Sequence, residues 1–419
     1  MVTIAAKPNF KFPISNFMPK FTIGILREEK IPPDNRVPLT PRQCHELSLR
    51  HPNLDIRVET SNVRCFRDDD YRKFGIGVQE TVSDCDLLMG VKEVPVNKLI
   101  TGKTYMFFSH TIKKQAHNKP LLQAILEKNI TLIDYELLTD ENGHRLIGFG
   151  WWAGIIGAHY ALLMLGKKTG AYNLKPAMEC LNLQELIDQY DEIRIPPAKF
   201  IVTGGGRVAS GAIEIMHRAE IEEVSKADFF DKTFDKPVFV QLHSRDLYSH
   251  KDGLAFDDNH FYHNAGEYKS VFMSYLSKAD VLIHCSYWDL NAMPLFTLND
   301  LAIENFSMKI IADVSCDIPG PIPTTIITTS SKDPVYGYNI TDGTIGKPYE
   351  PGTIDVMSIP NLPNELPRDA SRDFGKILMD SVIPGIIHLK DDPTVNRAII
   401  AKNGTLMPAF SYLEDWVKS

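Results

Sequence analysis

Between Cys85 and Glu136 the chain repeats one pattern three times: a short apolar run that stops at an ionisable side chain. DLLMGV is followed by Lys92 and Glu93, TYMFFS by His110, and TLIDY ends at Glu136. Runs of this length, separated by turns and one helical segment, specify strands buried on both faces, and sheets of that kind are mostly parallel. The pattern confines the chain to an α/β fold. Ligands of open α/β sheets bind at the carboxyl ends of the strands. If the three strands are parallel neighbours, Lys92, Glu93, His110 and Glu136 collect along one edge. The plain alternative is that charge ends a buried strand because it cannot continue one.

At 419 residues the chain exceeds the usual size of one hydrophobic core, so two domains are expected, and 43% hydrophobic with 23% charged residues supplies material for both. A net charge of -8 excludes a broad nucleic-acid or anionic-membrane surface and leaves small-molecule partners; a homo-oligomer is left open. The six cysteines show no CxxC or metal-ligand spacing, so neither disulfides nor a structural metal are expected, which fits a reducing, cytoplasmic setting. The longest apolar stretch, AGIIGAHYALLML, is too short to span a bilayer and contains His159. The first twenty residues lack periodicity and read as an extended arm, without the order of a signal peptide.

FTIGIL reads as a strand running into the loop REEKIPPDNRVPLTP, and Thr40-Pro41 opens a helix with Pro at its first position. Arg27, Lys30 and Arg36 share that loop. Cations there suit a carboxylate-bearing substrate, since Arg grips a carboxylate with two parallel hydrogen bonds; pairing with Glu28, Glu29 and Asp34 is the equal alternative. LDIRVET is a further strand and RDDDYRKFGI a turn into a short helix. After Glu136, Arg145 precedes GFGWWAG, which opens an apolar helix too hydrophobic for a surface and is expected to join the two domains.

A dinucleotide signature follows. The strand FIVT meets Gly204, Gly205 and Gly206, then Arg207 and Val208, with a helix beginning near Ser210. Glycines admit a pyrophosphate to the backbone and a helix N-terminus stabilises its charge. EEVS reads as the second strand, whose end reports the cofactor. Ser225 and Lys226 there point to NADP over NAD, although Asp228 would restore an acidic reader if the strand ended later. KPVFVQLHSRDLYSHKDGLAFDDNHFYHNAGEYKSVF reads as a solvated, histidine-rich insertion; its HxxH lacks a third ligand at fixed spacing, and no metal is assigned. Two later strands end near Ser286 and Tyr287 and near Asp313 and Asp317, where a nicotinamide ring and ribose would lie. The expected architecture is two Rossmann-like doubly wound domains, with a nucleotide-binding domain (150–352) inserted into a substrate domain (1–149 and 353–419).

REEKIPPDNRVPLTP, GVKEVP, KTYMFFSHTIKKQ, LIDYE, GHRLIGFGWWAG, DVSCD and SIPNLPNELPRDAS together resemble the saccharopine dehydrogenase and lysine-ketoglutarate reductase group of the alanine dehydrogenase and transhydrogenase-like superfamily. The resemblance covers nearly the whole chain after residue 20 and is stronger to the reductase domain of bifunctional enzymes than to the short fungal enzyme. It implies an enzyme that interconverts saccharopine with lysine and 2-oxoglutarate using NAD or NADP. It further implies that Lys92 and His110 form the acid/base pair, that Glu93 and Glu136 tune it, and that Arg36 and Arg145, with Lys113 nearby, bind substrate carboxylates. An alanine dehydrogenase-like deaminase and a catalytically silent nucleotide sensor are the alternatives. A sensor has no need of an acid/base pair.

Overall fold

A computed structural model describes residues 20–302, 306–387 and 392–419. All but the last residue of the expected amino-terminal arm lies outside the described residues. The described residues divide into two compact units, one formed from within 20–31, 38–141 and 378–419 and the other from within 32–37 and 142–377.

The first unit opens with β1 (Phe21–Ile25), β2 (Leu54–Glu59), β3 (Gly77–Gln79), β4 (Leu87–Met89), β5 (Thr104–Phe107) and β6 (Thr131–Asp134). The second contains β7 (Lys199–Thr203), β8 (Glu222–Glu223), β9 (Val238–Leu242), the pair β10 (Tyr248–His250) and β11 (Tyr268–Ser270), then β12 (Val281–His284), β13 (Ile310–Asp313), β14 (Val335–Asn339), β15 (Ile345–Gly346) and β16 (Thr353–Met357). β17 (Ile399–Lys402) and β18 (Thr405–Leu406) return to the first unit.

In the first sheet the order is β18-β17-β6-β5-β4-β1-β2-β3, with β1 to β6 parallel and β17 and β18 antiparallel at one edge. The three apolar runs are therefore adjacent parallel strands, and the order of the connections reverses between β1 and β4, the position where doubly wound sheets bind ligands. Local chemistry starts the neighbouring helix Pro41–Arg50 as the sequence suggested. Thr40 caps it and Gln43 Oε1 accepts from the Thr40 N–H at 2.9 Å, an arrangement that stabilises a helix by about 1 kcal/mol.

The second sheet runs β15-β14-β16-β13-β12-β7-β9-β8. Two expectations are corrected here. The strand beside β7 is β9, with Lys199 opposite Val238 and Thr203 opposite Leu242, while EEVS forms only the two-residue edge strand β8. PVFVQL is thus core sheet rather than solvated insertion: Val238, Phe239 and Leu242 are fully buried, because a strand flanked on both sides must be apolar on both faces. Likewise β16 pairs with β13 in this sheet, so the return to the first unit comes at Leu378 rather than at 353; the Pro-rich SIPNLPNELP is a turn within the unit, not its border.

The helix Gly150–Thr169 lies within the second unit and is buried on nearly all sides, and no helix among the described residues is long and apolar enough to cross a membrane. It packs backbone to backbone on the helix Arg207–Arg218. A Cβ on Gly154 would lie 1.8 Å from Val208 O, and one on Gly211 would lie 2.0 Å from Trp151 O. Of the glycines along GFGWWAGIIG, Gly150 and Gly154 serve this helix contact, whereas Gly157 admits the Val314 side chain. Trp152 is buried at this contact and Trp151 half-buried.

Candidate active site

The carboxyl ends of β1 and β4 border a cavity of about 270 Å³ lined by Arg27, Glu28, Glu59, Lys92, Glu93, Lys98 and Tyr105 among others. Glu28 joins the two strand ends. Its Oε1 accepts from the Val91 N–H at 2.5 Å and its Oε2 from the Lys92 N–H at 3.0 Å, so the backbone that carries Lys92 is held by a charged acceptor. Glu93 faces the same cavity. Its Oε1 pairs with Lys30 Nζ at 2.5 Å, and its Oε2 is buried with no hydrogen bond among the described residues.

One strand further on, His110 follows β5 in a left-handed backbone conformation (φ 54°), which turns the chain sharply at the sheet edge. Its Nδ1 lies 3.2 Å from Glu136 Oε2, and Lys113 Nζ lies 3.1 Å from Glu136 Oε1. His110 also stacks on Phe108, with centroids 6.1 Å apart and planes 13° from parallel. The structure thus brings His110, Glu136 and Lys113 into one cluster, and places Lys92 and Glu93 one strand away at the carboxyl end of β4.

Two residues not singled out in the sequence organise this edge. Glu28 is one, and Asp134 is the other. Fully buried, Asp134 accepts from the Ser109 N–H at 3.0 Å, from Ser109 Oγ and, through Oδ1, from the Glu136 N–H at 2.8 Å. It therefore clamps the residue before His110 to Glu136. Burial, with the neighbouring Glu136 charge, raises its pKa above the ordinary carboxylate value. The available signal was an acid as the last residue of an otherwise apolar strand.

Arg36 and Arg145 belong to the second unit. Arg36 is buried and forked onto Asp34, Nε to Oδ1 at 2.9 Å and Nη2 to Oδ2 at 2.5 Å, with Nη2 also 2.8 Å from Asn361 Oδ1 and the guanidinium 4.0 Å over the Phe149 ring. Of the two readings open for the loop cations, carboxylate pairing within the chain is the one observed: Arg27 bonds Glu80, and Lys30 reaches Glu93 rather than its sequence neighbours. Arg145 Nε donates to Ile147 O at 2.8 Å.

The glycine loop after β7 has the geometry of a pyrophosphate cradle. Gly204 adopts φ +97°, and a Cβ there would crowd Cys285 O and Ser286 Oγ at 3.1 and 3.2 Å. Over Gly206 a Cβ would meet nothing within 4 Å. The helix begins at Arg207 rather than near Ser210, and no side chain among the described residues caps it, so Arg207 and Val208 lie in its first turn with amide groups available to an anion. Ser286 Oγ is buried beside Gly204 without a hydrogen bond among the described residues. These features fit a bound dinucleotide. Asp313 is committed internally, to Ser315 Oγ and Thr325 Oγ1 at 2.7 Å each, whereas Asp317 and Tyr287 are exposed. Ser225 accepts from the Asp228 N–H as a helix cap, and Lys226 pairs with Asp246 at 2.5 Å.

Among the histidines of the 243–263 segment, His250 and His260 approach one oxygen, Glu267 Oε2, at 3.5 and 3.7 Å. The Asp252 N–H donates to His250 Nδ1 at 3.1 Å. His250, His260 and Glu267 thus bring three potential ligand atoms within 4.8 Å of one another, a third partner that the HxxH spacing did not show.

Residues 24–156 match the family model of the alanine dehydrogenase/PNT N-terminal domain. The chain is 29% identical to alpha-aminoadipic semialdehyde synthase of Arabidopsis thaliana over 95% of its own length and 42% of that protein, and 27% identical to the NAD(+), L-lysine-forming saccharopine dehydrogenase of Emericella nidulans over 87% of its length and 92% of that protein. It thus spans less than half the length of the semialdehyde synthases it matches. Among solved structures, an L-alanine dehydrogenase superposes with a TM-score of 0.63 at 16% identity, covering 95% of this chain and all of that one. The chain is similar to the alpha-aminoadipic semialdehyde synthases and the fungal saccharopine dehydrogenases, and it is built as two Rossmann-like domains on the fold of L-alanine dehydrogenase.

Proposed function

We propose that this protein is a dinucleotide-dependent oxidoreductase acting on the CH–NH bond of saccharopine: saccharopine, NAD(P) and water give lysine, 2-oxoglutarate and NAD(P)H, or the reverse. The observation that carries the reading is the row of Lys92, His110 and Glu136 at the carboxyl ends of the consecutive parallel strands β4, β5 and β6. Similarity over 92% of a saccharopine dehydrogenase supports it. Bound at Gly204 to Val208, a nicotinamide dinucleotide would supply the hydride acceptor. Lys92 takes the proton of the secondary amine, which must be neutral before hydride can leave its carbon. His110, held by Glu136, then moves the protons of the water that adds to the resulting imine and of the carbinolamine that collapses to amine and oxo acid. Lys113 and Arg145 are assigned to substrate carboxylates. Arg36 could join them only by releasing Asp34, since its fork is occupied.

The test follows reduced-dinucleotide absorbance with the purified protein, using saccharopine with NAD or NADP, lysine plus 2-oxoglutarate with the reduced forms, and alanine as control. Turnover confined to the saccharopine couple supports the assignment. Turnover of alanine instead would make this a primary-amine dehydrogenase, and the absence of any turnover with dinucleotide still binding would leave a sensor.

A further inference from the structure

The two histidines and the glutamate that meet in the second unit come from three separate elements. His250 ends β10, His260 lies in the short helix Asp258–His263, and Glu267 stands immediately before β11. Pairing of β10 with β11 sets His250 opposite Tyr268, and the Lys251 N–H donates to Glu267 O at 2.9 Å, so the strand that carries one side chain is tied to the turn that carries another. Asp257 fastens the helix as its cap, accepting from the His260 N–H at 2.7 Å. His263, the second histidine of the HxxH, is turned away to Asn259 O at 2.8 Å. Nothing in the oxidation of saccharopine calls on His250, His260 or Glu267.

The polar atoms of the three converge. His250 Nε2 and His260 Nε2 lie 3.5 and 3.7 Å from Glu267 Oε2. Ligands about 2.1 Å from a tetrahedral zinc ion stand roughly 3.4 Å apart, so two edges of such a tetrahedron are nearly formed. Tyr268 is buried against Phe256 and Phe261, with ring centroids 5.3 and 5.0 Å away, and its hydroxyl lies 3.0 Å from His260 Nδ1. The same hydroxyl is 3.5 Å from Asp257 O, which can only accept, so the tyrosine proton goes there and its oxygen accepts the Nδ1 proton of His260. That tautomer leaves a bare lone pair on His260 Nε2 beside a carboxylate oxygen. Two acceptors so placed are both satisfied by a cation between them, and a histidine oriented through its other nitrogen is how proteins aim a metal ligand.

We propose that His250, His260 and Glu267 form a binding site for one zinc-like divalent ion, with water as the fourth ligand on the side where Glu267 is exposed. Two imidazole nitrogens select such an ion over calcium or magnesium, which take oxygen ligands. His250 joins by carrying its ring proton on Nδ1 in the bound state, while the Asp252 amide, on an exposed turn, exchanges its bond to that nitrogen for one to water. The ion then ties β10, the helix and the turn before β11 together, and its effect is on the stability of this segment.

Calorimetry with zinc chloride on the full, untagged chain tests it, with the melting temperature followed alongside. Zinc should bind at one ion per chain and raise the melting temperature, while magnesium and calcium do neither. Tyr268→Phe, which keeps the buried ring and removes the hydroxyl behind His260, should weaken zinc binding by about ten- to a hundredfold, and His260→Ala by more than that. A metal-free melting temperature close to that of the parent chain shows that each variant is folded. Cobalt(II) in place of zinc should give the visible bands of a four-coordinate ion, and His260→Ala should abolish them. Failure of zinc to bind, or binding unaltered by His260→Ala and Glu267→Gln, overturns the proposal and leaves the three side chains as a hydrogen-bonded cluster.

Discussion

Replacing Asp134 by asparagine should loosen two strand ends at once. The native carboxylate serves two backbone donors on different segments, the N–H of Ser109 at 3.0 Å and that of Glu136 at 2.8 Å, together with the Ser109 hydroxyl. Asparagine has one oxygen, so whichever backbone N–H it keeps, the other meets an NH₂ group. The hydroxyl can turn to Thr111 Oγ1, already 2.8 Å away, but a backbone N–H cannot. A buried donor left unpaired costs about 1–3 kcal/mol, and the weaker neutral bond at the retained donor adds about 1 kcal/mol. Against this, asparagine escapes the desolvation penalty that raises the Asp134 pKa. The net expectation is a loss of about 1–3 kcal/mol of stability, read by urea denaturation. Because Ser109 precedes His110 and the Glu136 amide is the other tethered group, kcat/KM for saccharopine should fall about tenfold or more. Binding of dinucleotide, assigned to the glycine loop of the second unit, should be unchanged. An Asp134→Asn enzyme with native stability and native kcat/KM would refute the reasoning, since the clamp would then hold nothing that matters.

Three further outcomes are expected. Lys92→Met should lower turnover by about 10²–10⁴ with dinucleotide affinity retained, and full turnover would remove Lys92 from the chemistry. Burial pushes the Glu365 carboxyl up to about 7, with the Tyr160 hydroxyl donating to it at 2.9 Å. Its folded pKa exceeds the ordinary glutamate value of 4.5, so the folded state holds the proton more tightly, and stability declines as pH rises from that value towards 7. The loss is on the order of 3 kcal/mol. Glu365→Gln should abolish that decline, which denaturation midpoints at acid and alkaline pH would reveal; an unchanged slope counts against it. Gly154→Ala drives a methyl to within 1.8 Å of Val208 O, a backbone clash that no side-chain adjustment relieves, and should cost about 3 kcal/mol or more. A native melting temperature in that variant would show that the two helices can separate cheaply.

The first unit was legible because its information is local. Buried runs of four to six apolar residues ending in charge do form β1, β4, β5 and β6, and Thr40-Pro41 does begin a helix. The glycine loop was legible for the same reason. The second strand of the nucleotide sheet was misread because spacing after the glycines pointed to EEVS, a segment too short and too exposed to hold a central position. PVFVQL, buried on both faces, takes that position instead.

Residue types by themselves determined that this chain forms parallel strands with ionisable ends and a glycine-rich turn from strand to helix, since strand formation and backbone freedom are decided over a few residues. Only the tertiary structure decided which partner each charge takes. Arg36 is forked by Asp34, Glu28 bridges β1 to the segment after β4, Asp134 clamps Ser109 to Glu136, and β9 rather than β8 lies beside β7. Strand order is set by which apolar faces can be buried together, and a buried charge takes whatever partner that packing brings within reach; neither is written in the spacing along the chain.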